Sequence, residues 1–190
     1  MNLPNKLTVG RIIAVPFFVI LYMTDHYYMA LILFILASLT DLLDGKIARA
    51  RNLITNFGKI MDPLADKILV YSAFCLLVAD GLVPAWMLAV ILAREFLVAG
   101  MRTVAASEGI VIAADMSGKI KTVLQMIAVP LLILAKATGE AVVSVSSTGL
   151  GGAPENKIAL VAQIVLWASL IMTVVSGGEY ILKNKDIFRQ

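Results

Sequence analysis

A single cysteine, Cys75, stands in the 190 residues, so no disulfide framework can form within the chain. It sits inside an apolar run, where the expectation is a buried, inert thiol. Histidine is as scarce: the lone His26 falls in a short polar connection, far from any other chemistry-bearing cluster. No stretch alternates polar and apolar residues in the manner of a strand. No internal repeat and no separate soluble domain stand out. The first apolar run follows Lys6 and Arg11 but ends without a small-residue cleavage site, and further apolar segments come after it. It reads as a retained membrane helix rather than a leader. Lys and Arg are missing from three connections: around Asp25-His26, across Asp80-Gly81-Leu82-Val83, and over residues 138–154, rich in Gly, Ser and Val, within which residues 144–152 read as a flexible outer loop.

What is plentiful is hydrocarbon. Hydrophobic residues make up 60% of the chain and the mean hydropathy is +0.91, values of integral membrane proteins rather than soluble domains. A bilayer crossing takes about 20 apolar residues. Six segments approach that, over residues 7–23, 28 to about 49, 62–79, 84–105, 116–137 and 156–182. The expected fold class is therefore all-α: one domain over residues 1–190, a polytopic membrane protein of six transmembrane helices. Pro4 and Pro84 sit at helix openings, as proline at a first turn should, and Pro63 is expected to open the third helix in the same way. Pro16 and Pro130 lie inside segments and are expected to kink them. All basic residues except Lys136 and Lys157 fall on one side of this arrangement. The positive-inside rule then places both termini, and the acidic stretch described next, on the cytoplasmic side of the cell membrane.

The densest chemistry lies between Asp41 and Asp66. Asp41 and Asp44 are spaced i,i+3, and Asp62 and Asp66 i,i+4, so on helices each pair shares one face. Aspartate is too short to snorkel far, and ionisable residues at membrane depth are functional by default. Four like charges in apolar surroundings need compensating cations. Hard divalent ions, Mg²⁺ or Mn²⁺, suit an all-oxygen donor set. Gly45 and Gly58 each weaken a helix by about 1 kcal/mol relative to alanine, which points to close approach of a backbone or a ligand. Gly45 and Ala48 leave a flat floor beside Asp44, and Arg49 is placed to hold a phosphate with both guanidinium arms.

The pattern D-x2-D-G-x2-A-R-x8-G-x3-D-x3-D is met at Asp41, Asp44, Gly45, Ala48, Arg49, Gly58, Asp62 and Asp66. It resembles the signature of the CDP-alcohol phosphotransferases. That resemblance implies a six-helix membrane enzyme, usually a homodimer, which displaces CMP from a CDP-linked donor with an alcohol. It implies that Asp41, Asp44 and Asp62 ligate two divalent metal ions, with Asp66 completing the metal site and serving as general base. It also implies that Asp44, Gly45, Ala48, Arg49 and Gly58 line the CMP pocket. Asn5, Thr8 and Arg11 are placed either to cap the nucleotide from the first segment or to anchor the N-terminus.

Beyond the signature, residues 2–11, Ala93-Arg94-Glu95-Phe96 with Gly100-Met101-Arg102, and residues 117–126 are similar to the members of that family that make phosphatidylglycerophosphate. Ser176-Gly177-Gly178-Glu179-Tyr180 is a weaker match. This similarity implies CDP-diacylglycerol as donor, sn-glycerol 3-phosphate as acceptor and CMP as the released product. The charge pattern agrees, because Arg94, Arg102, Lys119 and Lys121 gather where a dianionic phosphate would need them and a neutral acceptor would not. Arg94 is ten residues past Pro84, about 15 Å along a helix, so it should face a polar cavity or pair with a carboxylate. Glu95 points about 100° away and is expected to have a different partner. Expected partners are the two substrates, the lipid bilayer and a second copy of the chain, with no nucleic acid. Trp86 is expected to anchor at the outer interface and Trp167 to be a packing residue. Two rival readings keep or change the class of function. One has phosphatidylglycerol, inositol phosphate or serine as the acceptor. The other is a divalent-cation transporter, against which residues 31–37 and 70–79, nearly all apolar, leave no polar path. An inactive scaffold is a third, and the intact aspartates speak against it.

Overall fold

The computed structural model describes residues 3–50, 56–107, 109, 112, 115–139 and 157–184; the side chains of residues 3–7, 41–50, 56–60, 62, 63 and 66 lie outside that description. Among the described residues there are six helices and no strand: α1 Leu3–Met23, α2 Tyr27–Ala50, α3 Asn56–Ala79, α4 Ala85–Ser107, α5 Met116–Ala137 and α6 Lys157–Lys183. Helix α5 occupies its expected span residue for residue. Helix α3 does not. It begins at Asn56, six residues ahead of Asp62, so Pro63 lies inside the helix and not at its first turn. An interior proline loses one hydrogen bond, a loss that neighbouring helices in a membrane bundle can accommodate. Pro16 and Pro130 are likewise interior, in α1 and α5.

Tight turns fix the hairpins. Asp25 takes a left-handed conformation (φ 61°) and Gly81 another (φ 72°). The first lets the His26 amide donate to the Leu21 carbonyl, and the second lets the Leu82 amide donate to the Leu77 carbonyl, both at 2.9 Å. Successive helices therefore run in opposite directions, and the start of α3 and α5 shares one end of the bundle with the finish of α4 and α6.

The buried stripes follow helical spacing. In α1 the stripe is Thr8, Arg11, Val15, Phe18 and Tyr22; in α6 it runs Ala159, Ala162, Leu166, Ser169, Thr173, Ser176 and Tyr180. Along both, apolar residues give way to polar ones toward the same end of the molecule. The apolar half is closed by Phe18, Phe34, Phe74, Leu77, Met87 and Leu132, all fully buried, with the Phe18 and Phe34 rings 5.8 Å apart. The far end of that half is tied by Asp80. Its carboxylate accepts a 2.6 Å hydrogen bond from the Tyr22 hydroxyl and an ion pair from Lys136 at 3.2 Å.

The outward faces are greasy. Phe17, Ile20, Leu36, Phe96, Ile171 and Leu182 are among many large apolar side chains left exposed, far more than water-soluble monomers present. Helices α5 and α6 are long and apolar enough to cross a membrane, with mean hydropathy 1.7 and 2.4; residues Thr8–Met23, Tyr27–Thr40 and Lys67–Ala79 form shorter apolar runs. The chain is accordingly a membrane protein. Cys75 corrects an expectation, since it is exposed. It lies one residue, about 100°, round from the fully buried Phe74, on the outer surface of α3. Trp167 packs as expected, though at the bundle surface: it is partly exposed and its ring meets that of Trp86 at 5.9 Å in a tilted pair.

Candidate active site

Helix α2 carries Asp41 and Asp44 near its end, and α3 carries Asp62 and Asp66 near its start. By register, positions 41 and 44 continue the buried series Ala30, Phe34, Ala37, while positions 62 and 66 lead in steps of four to the buried Val70 and Phe74. The side chains of the four aspartates, and of Asn5, Gly45, Ala48, Arg49 and Gly58, lie outside the described residues. As a donor set, four carboxylates on two neighbouring helices suit hard divalent cations. Helix α1 packs along both of these helices, and its polar Thr8 and Arg11 are buried.

One residue beyond Asp66 the described side chains resume, and they build a recess. Lys67 places its ammonium 3.1 Å from Glu95 Oε1. The other carboxylate oxygen of Glu95 receives Arg94 Nη1 at 3.3 Å and the Lys121 ammonium. Three cations from α3, α4 and α5 thus share one carboxylate, a local excess of two positive charges. The Lys121 side chain is only 3% exposed. A buried ammonium with no counter-charge would be strongly destabilising, so Glu95 is what permits it there. The recess is open on one side and its cavity volume is about 50 Å³, with Lys67, Tyr71, Glu95, Lys121, Thr122 and Gln125 on its walls. Glu95 was expected to take partners apart from its neighbour Arg94. It does reach Lys67 and Lys121 on other helices, but the flexible Arg94 side chain also curls back to it.

Arg94 is held on its far side as well. Its Nη2 donates to the Ser176 hydroxyl of α6. A Cβ on Gly177 would stand 2.9 Å from Arg94 Cγ, and one on Gly118 would stand 3.4 Å from Arg94 Nη2. These two glycines are the gap through which the arginine passes. Arg94 and Lys121 are therefore brought together through Glu95, while Arg102 and Lys119 are not. Arg102 lies two turns further along α4, where its Nε donates to the Tyr180 hydroxyl at 3.2 Å and its guanidinium covers the Tyr180 ring at 5.6 Å. Lys119 is exposed in the first turns of α5.

Lys67, Ser176, Gly177 and Gln125 join the site without belonging to the residues that the sequence pattern assigns to it. One signal was available: Gly177 and Gly178 interrupt a long apolar helix, and each glycine costs about 1 kcal/mol of helix stability, so at least one demanded a reason.

Comparison with known proteins bears on the same residues. The family described as CDP-alcohol phosphatidyltransferase matches residues 1–175. A Bacillus subtilis protein named CDP-diacylglycerol–glycerol-3-phosphate 3-phosphatidyltransferase is 44% identical, over 99% of this chain and 97% of its own length. A Rickettsia typhi protein of the same name is 36% identical over 98% and 99%. A Mycobacterium tuberculosis protein named probable phosphatidylglycerophosphate synthase is 33% identical over 96% and 81%. With a match spanning both aspartate pairs and the cationic recess, the chain belongs to the CDP-alcohol phosphatidyltransferase family.

Proposed function

We propose that this chain transfers the phosphatidyl group of CDP-diacylglycerol to sn-glycerol 3-phosphate, giving phosphatidylglycerophosphate and CMP. The observation that carries this reading is the recess in which Lys67, Arg94 and Lys121 surround Glu95, one residue away from an aspartate of the family signature. Its net positive charge fits a dianionic phosphate on the acceptor. Relatives named for the same reaction align over nearly the whole chain.

A hydroxyl oxygen of the acceptor bonds to the phosphatidyl phosphorus. The bond from that phosphorus to the oxygen retained by CMP breaks, and the hydroxyl proton passes to Asp66. Asp41, Asp44, Asp62 and Asp66 would hold two divalent ions, Mg²⁺ or Mn²⁺; when bound, these supply the positive charge that the pyrophosphate requires. Gly45, Ala48, Gly58 and Arg49 receive the CMP moiety, with Asn5 and Thr8 contributing from α1. Arg94 and Lys121 fix the acceptor phosphate. Arg102 and Lys119, nearer solvent, draw it in. All six helices cross the cell membrane, both termini and the site face the cytoplasm, and the working unit is a homodimer of this single domain. The transport reading finds no support in the far half of the bundle, where fully buried phenylalanines close the interior.

The test is CMP release by the purified protein with CDP-diacylglycerol and Mg²⁺ or Mn²⁺, run separately with glycerol 3-phosphate, phosphatidylglycerol, inositol phosphate and serine. Release is expected with glycerol 3-phosphate, and chelation of the metal should stop it. Release with another of the four and none with glycerol 3-phosphate would refute the assigned acceptor.

A further inference from the structure

The recess contains a buried polar group to which the reaction above gives no task. Gln125 follows Lys121 by one turn of α5, is 3% exposed and lies on the same wall. Its amide nitrogen is buried with no hydrogen-bond partner. Leaving a buried donor in that state costs about 1–3 kcal/mol, and native interiors rarely tolerate it without a reason. Although Tyr71, Thr122 and Glu95 share the lining with it, none of them accepts from this nitrogen. An acceptor atom brought by a ligand would.

Its position says which atom. Lys121 and Gln125 are four residues apart on one helical face, so they reach the recess at successive levels about 6 Å apart along the axis. A three-carbon polyol phosphate spans a similar length, with its phosphate at one level and its hydroxyls at the next. We propose that Gln125 determines acceptor specificity: its amide N–H donates to the secondary hydroxyl oxygen of a three-carbon polyol phosphate whose phosphate is held by Lys121 and Arg94. This rests on the reading of the recess as the acceptor site. The reacting primary hydroxyl remains free, and no covalent step involves Gln125. A site that bonds a substrate hydroxyl through an otherwise unsatisfied buried group discriminates against analogues lacking that hydroxyl.

The experiment compares two acceptors, glycerol 3-phosphate and 3-hydroxypropyl phosphate, which differ only by the secondary hydroxyl. Steady-state CMP release is measured for the wild-type protein and for Gln125→Met, which keeps the side-chain length and removes the donor. For glycerol 3-phosphate, the substitution is expected to raise KM about tenfold, while KM for CDP-diacylglycerol stays within twofold. With 3-hydroxypropyl phosphate the two proteins should behave alike. An equal rise for both acceptors would mean that Gln125 only shapes the wall, and no rise for either would mean that it has no part in recognition; both overturn the proposal. A wild-type protein inert toward both acceptors overturns the acceptor reading itself, a result that the wild-type data alone distinguish. Should Gln125→Met not fold, the wild-type ratio of kcat/KM still decides. At least tenfold in favour of glycerol 3-phosphate is expected, and equal values refute the role.

Discussion

Replacing Gly177 by alanine puts a methyl group where Arg94 already runs. The new carbon would stand 2.9 Å from Arg94 Cγ and 3.9 Å from Arg94 Cβ, well inside the carbon–carbon optimum of about 3.5–4.0 Å in the first case. Cγ is near the root of the side chain, so a small adjustment of the tip cannot relieve the contact. The whole side chain must swing, and it cannot then keep both the Ser176 hydroxyl and the Glu95 carboxylate. Overfilling a packed contact by one methyl costs about 1–3 kcal/mol, and a hydrogen bond to a charged group contributes about 1.5–3 kcal/mol. If the guanidinium recovers one of its two partners, about 1.5 kcal/mol of acceptor binding is lost, or roughly tenfold in KM. The assay is CMP release against glycerol 3-phosphate concentration, with thermal unfolding of the same preparation in parallel. Gly178→Ala is the internal control, because nothing lies within 4 Å of its added carbon. We expect Gly177→Ala to raise the acceptor KM about tenfold and Gly178→Ala to leave it unchanged. Equal behaviour of the two variants would refute the argument that Arg94 is positioned through this gap.

Two other expectations concern charge. Asp66→Asn should lower turnover by about 10²–10⁴-fold, the range for loss of a general base, while equilibrium binding of CDP-diacylglycerol is largely kept; near-normal turnover would remove Asp66 from that role. Glu95→Gln leaves the buried Lys121 ammonium without its carboxylate. Breaking a fully buried pair costs about 3–5 kcal/mol, and partial exposure of Lys67 and Glu95 brings the expected loss to about 2 kcal/mol, read as a lower midpoint of thermal unfolding. An unchanged midpoint would show that Lys121 has another source of compensation.

The six helices and the family were legible in the sequence because apolar segment length and the spacing of the aspartate pattern are local properties. Helix α5 could be bounded correctly since Asp115 and Thr138 stand at its two ends as caps, on either side of a largely apolar segment. The start of α3 could not, because Pro63 carries the usual mark of a first turn and only the surrounding helices decide otherwise. Arg94 visibly needed a counter-charge at its depth. Its partner Ser176 is 82 residues away, and no local pattern links the two. Cys75 was misplaced for a different reason. In a membrane helix both the core and the lipid side are apolar, so hydrophobicity alone does not say which way a residue faces.

The Trp86–Trp167 contact has a practical consequence. These are the two tryptophans of the chain, and their rings touch across α4 and α6, while Arg94 lies eight residues along α4, about 12 Å away by helix rise. Tryptophan emission, excited beyond the tyrosine band, therefore monitors how those two helices sit against each other rather than the walls of the recess, where Tyr71 and no tryptophan stands. A titration in which phosphate-bearing substrate shifts the emission would be a direct optical record of motion relayed down α4.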